Sequence, residues 1–234
     1  MNIIVTGASS GIGLELVKQL TADLGNNIVG IARSKEKLTD LDDEIGSQSI
    51  GGKFFPLTFD LTRADYATAL IPEILKRMSS VDILINNAGL LVNKPLTSLS
   101  DMDFDQTFDV NVRSVFRLVR DLLPYFNSGA HVVNISSMGG VQGSAKFSGL
   151  SLYSASKGAL AILTECLAEE LADQKIFVNA LALGAVQTEM LAQAFPGYQA
   201  PLQPYEMANF IADFAKSGHR FFNGKILPVS LSTP

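Results

Sequence analysis

One cysteine, two histidines and no tryptophan occur among the 234 residues, and each shortage closes off a class of protein. A single thiol, Cys166, cannot build an internal disulfide framework. Two histidines far apart in sequence, His131 and His219, argue against a conventional zinc site and are read as structural. No apolar run is long enough to cross a bilayer, and the opening Met1-Asn2-Ile3-Ile4-Val5 has no basic stretch before it. Neither a signal peptide nor a membrane helix is therefore expected. Lysine and arginine are scattered and outnumbered, giving a net charge of −5 and no basic stripe for nucleic acid. Low-complexity tracts, charged tails and Pro/Ser-rich linkers are also missing. What remains is 47% hydrophobic residues in a length suited to one large core. The expectation is one domain over residues 1–234 in a reducing cytoplasm, with no metal, membrane or nucleic-acid partner.

Against that background the glycines stand out. The apolar run Ile3 to Val5 leads into Thr6-Gly7-Ala8-Ser9-Ser10-Gly11-Ile12-Gly13, and helical spacing follows through Leu14, Leu16, Val17 and Leu20. This reads as strand, glycine-rich turn and helix. Glycines let the backbone approach a pyrophosphate, and the helix N-terminus offers free N–H groups and a positive dipole end. The spacing differs from G-x-G-x-x-G, and such a turn can be a mere tight connection, but its place directly after the opening strand favours a nucleotide. A second strand spans Asn27 to Ile31. An acid about 20 residues past the glycines would bind ribose hydroxyls, whereas arginine suits a 2′-phosphate. Here Ala32 and Arg33 occupy that place and the next acid is Glu36, so NADP(H) is favoured over NAD(H). The alternative for Arg33 is a solvated loop residue.

Further strands are expected at Lys53 to Phe59, Val81 to Ile85 and His131 to Ile135. The first ends in Asp60-Leu61, with Thr62 and Asp65 spaced as a capping box for a following helix. The second runs into Asn86-Asn87-Ala88-Gly89, and the third into Ser136-Ser137. Ser100 and Asp103 are spaced to cap a long helix with apolar positions Val112, Val115, Phe116, Val119, Leu122 and Phe126. Asn111 interrupts it, either facing solvent or marking a kink that frees a carbonyl for water. Serines at a strand end can hold a substrate carbonyl or simply form a turn.

Tyr153-Ser154-Ala155-Ser156-Lys157 carries the most chemistry. If helical, Tyr153 and Lys157 share one face, and a nearby ammonium lowers the phenol from its ordinary value near ~10. Such a phenol exchanges protons with a substrate at neutral pH. The plainer alternative is a surface or snorkelling pair.

Together these motifs resemble the short-chain dehydrogenase/reductase family, in its compact single-domain form, from Thr6 to about Val229. The resemblance implies a three-layer, doubly wound Rossmann fold with a mainly parallel seven-stranded sheet and a short substrate loop at about 186–204. It implies Tyr153 as general acid/base, Lys157 as the residue that lowers the Tyr153 pKa and binds the nicotinamide ribose, and Asn111 as holder of a relay water. Ser137 matches the carbonyl-binding serine better than Ser136. Gly7, Ser9, Ser10, Gly11, Ile12 and Gly13 fall at the cofactor phosphates, and Arg33 at the 2′-phosphate. Asp60 and Leu61 fall at the adenine, Asn87, Ala88 and Gly89 along the adenosine ribose, and Gly184, Val186 and Thr188 near the carboxamide. The chain departs from the family pattern at Leu183, where proline is usual, in the 16-residue span from Ser137 to Tyr153, and in its final strand, Gly224 to Leu231.

The expected activity is NADP(H)-dependent interconversion of a carbonyl and an alcohol, in the direction of reduction. Met138, Val141, Phe147, Met190, Leu191, Phe195 and Tyr198 suggest an apolar mouth, hence a hydrophobic ketone or aldehyde. Alternatives are a non-catalytic nucleotide-responsive binding protein on the same fold, or an epimerase or dehydratase. By the same resemblance, a homodimer or homotetramer is expected through the helices carrying Asn111 and Tyr153.

Overall fold

A computed structural model describes residues 1–47 and 51–231. Residues 48–50 and 232–234 lie outside the described residues. Seven parallel strands form one sheet in the order β3-β2-β1-β4-β5-β6-β7. They are β1 (Asn2–Thr6), β2 (Asn27–Ala32), β3 (Lys53–Thr58), β4 (Val81–Asn86), β5 (Phe126–Ser137), β6 (Phe177–Leu183) and β7 (Ile226–Val229). Parallel strands need crossovers, and here helices supply them: α1 (Gly11–Ala22), α2 (Lys35–Ser47), α3 (Ile71–Leu75), α4 (Asp101–Phe108), α5 (Ser114–Leu122), α6 (Ser151–Glu170), α7 (Glu189–Ala194) and α8 (Pro204–Ser217).

The strands are apolar on both faces, as a sheet covered on both sides requires. Ile3 and Val5 pack toward Leu16, Leu20 and Leu38, with Ile211 and Phe214 of α8. Ile4, Leu84 and Val132 pack toward Ile74, Leu118, Val119 and Leu160 on the opposite face. Because β1 lies between β2 and β4, the chain reverses direction of winding there, and the crevice opens at the carboxyl ends of β1 and β4.

Three local expectations change. Thr62 and Asp65 form no capping box: Asp60 Oδ1 takes both the Thr62 N–H and its hydroxyl at 2.9 Å, and Asp65 pairs with Arg63. The chain instead enters α3 through a π-helical turn, Tyr66–Leu70. The Ser100–Asp103 box does form, with Ser100 N–H on Asp103 Oδ2 at 2.9 Å and Asp103 N–H on Ser100 Oγ at 3.2 Å. The helix it starts is divided by a second π-helical turn, Asp109–Arg113, and α5 stops at Leu122, just before Pro124. Phe126 therefore opens β5 rather than closing a helix, and Phe116 stays 44% exposed. His131 is buried, its Nδ1–H donating to the Ala215 carbonyl at 2.9 Å and its Nε2 accepting from Asn179 at 3.0 Å. Burial holds this imidazole neutral, with its pKa down at about 4. Among the described residues no helix is long and apolar enough to cross a membrane.

The glycine turn is fixed by close packing. A Cβ at Gly13 would collide with the Gly7 carbonyl and the Asn87 carboxamide, whereas one at Gly46, in the last turn of α2, meets nothing within 4 Å. Gly13→Ala should therefore destabilise the fold by about 1–3 kcal/mol through overpacking. Gly46→Ala should stabilise it by about 0.4–1 kcal/mol through lost unfolded-state entropy. Denaturant midpoints of the two variants against wild type check both signs.

Candidate active site

The crevice holds a cavity of about 460 Å³ running from the glycine turn past the ends of β5 and β6 to α7. At its first end Gly7 takes φ +69°, a conformation open to glycine at little cost, and the Ala88 backbone lies where a side chain would go. The Thr6 hydroxyl accepts the N–H groups of Asn87 and Ala88, each at 3.0 Å, while Asn87 Nδ2 returns a bond to the Thr6 carbonyl at 3.0 Å. The two glycine-bearing turns are thereby stitched into one floor. Ser10, at the N-cap of α1, makes no side-chain capping bond, so the first-turn N–H groups remain available to an anion.

Gly7, Ser10, Gly11, Ile12, Asn87, Ala88 and Gly89 line the cavity, as do Ser137, Tyr153, Lys157, Gly184, Val186 and Thr188. Ser9, Gly13, Arg33, Asp60, Leu61 and Asn111 are not on its wall. Arg33 is exposed beyond the end of β2 and close enough to Asp60 to help hold that carboxyl below its usual range, behind the larger effect of the Thr62 backbone bond. Leu61 is buried in the core.

In the middle of the cavity the helix α6 lies against the end of β5. The Ser137 hydroxyl lies close enough to the Tyr153 phenol to draw its pKa down, and Ser137 Oγ accepts the Gly139 N–H at 3.2 Å. The Ser136 hydroxyl is spent on the helix backbone, donating to the Lys157 carbonyl at 3.0 Å. Of the two serines, Ser137 is the one facing the phenol. Lys157 is 4% exposed, with Nζ donating to the Ile135 carbonyl at 2.7 Å and lying 5.8 Å from the Tyr153 ring centroid. Burial lowers this ammonium from 10.5 to about 8.

The phenol does not follow the expectation of a lowered pKa. Desolvation pushes Tyr153 up, and the neighbouring Ser137 hydroxyl only opposes part of that rise. A buried ammonium that is itself reluctant to carry charge, and tied to a carbonyl, does not outweigh the cost of a buried phenolate.

Asn111 is 1% exposed, which overturns its solvent-facing alternative. Its Oδ1 accepts the Leu90 N–H at 2.7 Å, and its Nδ2 donates to the Leu90 carbonyl and to Ser156 Oγ, each at 2.9 Å. Ser156 in turn donates to the Tyr153 carbonyl at 2.7 Å. Asn111 thus braces α6 against the loop after β4. Ser156 was legible only as part of the motif, although a serine three residues after Tyr153 on a helix is placed to make this bond.

Toward the mouth, Met138, Phe147, Met190, Leu191, Phe195 and Tyr198 line the cavity as expected, and Leu91 and Leu150 join them. Val141 does not; its carbonyl accepts from Lys146 Nζ at 2.7 Å and from Ser144 Oγ at 2.9 Å. Leu183 continues the β6 ladder opposite Val229, and Thr188 caps α7 by accepting the Leu191 N–H at 3.2 Å. Among the described residues no three His, Cys, Asp or Glu side chains cluster as a metal site would require.

Comparison with known proteins agrees with this geometry. The family description "short chain dehydrogenase" matches residues 1–199. A fatty acyl-CoA reductase of Acinetobacter baylyi is 34% identical over 89% of this chain and 70% of its own length. A 3-oxoacyl-[acyl-carrier-protein] reductase of Staphylococcus aureus is 31% identical over 97% of this chain and 95% of its own. Among solved structures, a short chain dehydrogenase of Burkholderia cenocepacia in complex with NADP superposes with TM-score 0.86 at 27% identity, covering 97% of this chain and 95% of that one. A 3-ketoacyl-(acyl-carrier-protein) reductase of Brucella melitensis complexed with NADH gives TM-score 0.83 at 27% identity, covering 98% and 96%.

The buried lysine makes a stability prediction. Its folded pKa, about 8, lies below its ordinary 10.5, so between those values the unfolded chain binds more protons and stability rises with pH. Relative to Lys157→Met, wild type should gain about 1–3 kcal/mol as pH rises through that interval. Denaturant unfolding of both proteins across the interval measures it, and parallel curves would refute it.

Proposed function

The chain belongs to the short-chain dehydrogenase/reductase family, and from that premise we propose that it is an NADP(H)-dependent reductase of apolar ketones or aldehydes. The observation that carries this reading is the hydroxyl pair Ser137–Tyr153, backed by Lys157, in the same cavity as the glycine turn. The cradle fits a dinucleotide: a side-chain-free turn at Gly7 and Gly11, uncapped N–H groups at α1, and Gly89 beside the Lys157 ammonium. When bound, the cofactor supplies a hydride to the substrate carbon.

The protein's own groups do the rest. Ser137 Oγ donates to the carbonyl oxygen and polarises it, and Tyr153 delivers the proton as that oxygen gains charge. A phenol holds its proton at neutral pH and is available as a donor in the reducing direction. Lys157 is placed to hold a ribose hydroxyl and, as an ammonium, to ease the charge left on Tyr153 after proton transfer. Asn111 keeps the helix and the loop after β4 in register, and its π-helical turn is where a relay water would be held.

The preference for NADP(H) rests on Arg33 in place of an acid after β2, near Asp60, which the family resemblance puts at the adenine. The wall of Leu91, Met138, Leu150, Leu191 and Phe195 supports an uncharged apolar substrate. We also read the protein as a single cytoplasmic domain that forms homodimers or homotetramers. Exposed Met102, Phe104, Phe116 and Ile162 on α4, α5 and α6 support the assembly.

Tyr153→Phe should lower kcat for carbonyl reduction by about 10²–10⁴-fold. Ser137→Ala should also reduce kcat, whereas Ser136→Ala should act mainly on stability, by about 1 kcal/mol. Steady-state NADPH oxidation and thermal melts separate these effects. Arg33→Asp should move the kcat/KM ratio from NADPH toward NADH, and an unchanged ratio would remove Arg33 from the cofactor site.

A further inference from the structure

The cavity mouth is bridged by two aromatic rings from opposite lips. Phe147, on the loop between β5 and α6, meets Phe195, the residue that ends α7, with ring centroids 6.3 Å apart and planes at 67°. Both rings are on the cavity wall. An edge-to-face pair at this spacing attracts beyond its simple burial.

Each lip is internally tied. On the first, Lys146 Nζ donates to the Val141 carbonyl at 2.7 Å and to the Ser144 carbonyl and hydroxyl at 3.2 and 2.6 Å. Ser144 Oγ also reaches the Met138 carbonyl at 2.5 Å. On the second, α7 is capped by Thr188, and the Phe195 N–H bonds the Leu191 carbonyl at 2.8 Å. The lips are then joined by the segment after β4. Asn93 Nδ2 donates to the Ala194 carbonyl at 2.8 Å, and the Lys94 N–H to the Gly149 carbonyl at 3.1 Å. The ring pair is therefore part of a hydrogen-bonded rim rather than of two free flaps.

We propose that the Phe147–Phe195 pair is a length filter, limiting the substrate to compact apolar carbonyl compounds and refusing long linear acyl chains. This rests on the reductase reading above. The volume points the same way, since about 460 Å³ must hold the reactive end of a dinucleotide as well as the substrate. The filter implies a substrate smaller than the fatty acyl or carrier-bound ones that two relatives' names specify.

The test uses linear methyl ketones from butanone to dodecanone with NADPH, on wild type, Phe195→Ala, Phe195→Leu and Phe147→Ala. Wild-type kcat/KM should fall with chain length, and the alanine variants should raise the ratio of dodecanone to butanone by about ten-fold or more, with Phe195→Leu between. Because the ratio is internal to each preparation, partial loss of folded protein does not move it. Turnover with the same length profile in every protein, or a wild type that already prefers dodecanone, overturns the filter alone. A wild type that reduces none of the ketones overturns the reductase reading along with it.

Discussion

The contact between the Lys157 ammonium and the Ile135 carbonyl, 2.7 Å long and almost wholly buried, sets the geometry of the site. It pins α6 to the last residues of β5, and the same strand end offers Ser136 to the helix backbone and Ser137 to the phenol. A cation placed there is costly, since burial weakens its hold on its proton. The fold accepts that cost because adjacent strands, capped helices and two apolar faces hold the position from both sides. The same desolvation that discourages the ammonium pushes the Tyr153 phenol up. The proposed donor and its electrostatic support thus share one desolvated corner.

The cofactor side and the substrate side are built differently. On the cofactor side the Thr6–Asn87–Ala88 bonds join two turns through backbone groups, and glycines are required by contact. On the substrate side the wall is made of side chains on loops, held by Lys146, Ser144 and Asn93. A scaffold of this kind keeps the chemistry constant while the mouth varies, in keeping with relatives that share the family but differ in the substrate their names give.

Most of the sheet was legible because its strands are short apolar runs ending in Gly, Asn or Ser, and those endings carry the site. The Ser100–Asp103 box was legible because both partners are local. The Thr62–Asp65 box was not, because Asp60, two residues before Thr62, captures the same hydroxyl. Phe126 kept helical spacing yet opens a strand, since Pro124 ends the helix first. Asn111 and Ser156 show the deeper limit: their bonds link residues 21 and 45 positions apart, which no periodicity reveals. The direction of the Tyr153 shift failed for a related reason. Spacing shows that a lysine is near, but only the packed structure shows how much water both groups have lost.

In the proposed reaction this corner delivers a proton to a carbonyl oxygen while a nicotinamide cofactor reduces its carbon. NADPH carrying deuterium at the transferable position, supplied with a compact apolar ketone, tests it most directly by mass spectrometry of the alcohol. One deuterium on the carbinol carbon is expected from wild type, with Tyr153→Phe forming the labelled alcohol about 10²–10⁴-fold more slowly. Alcohol without label, or labelled alcohol formed as fast by Tyr153→Phe, would rule this reaction out.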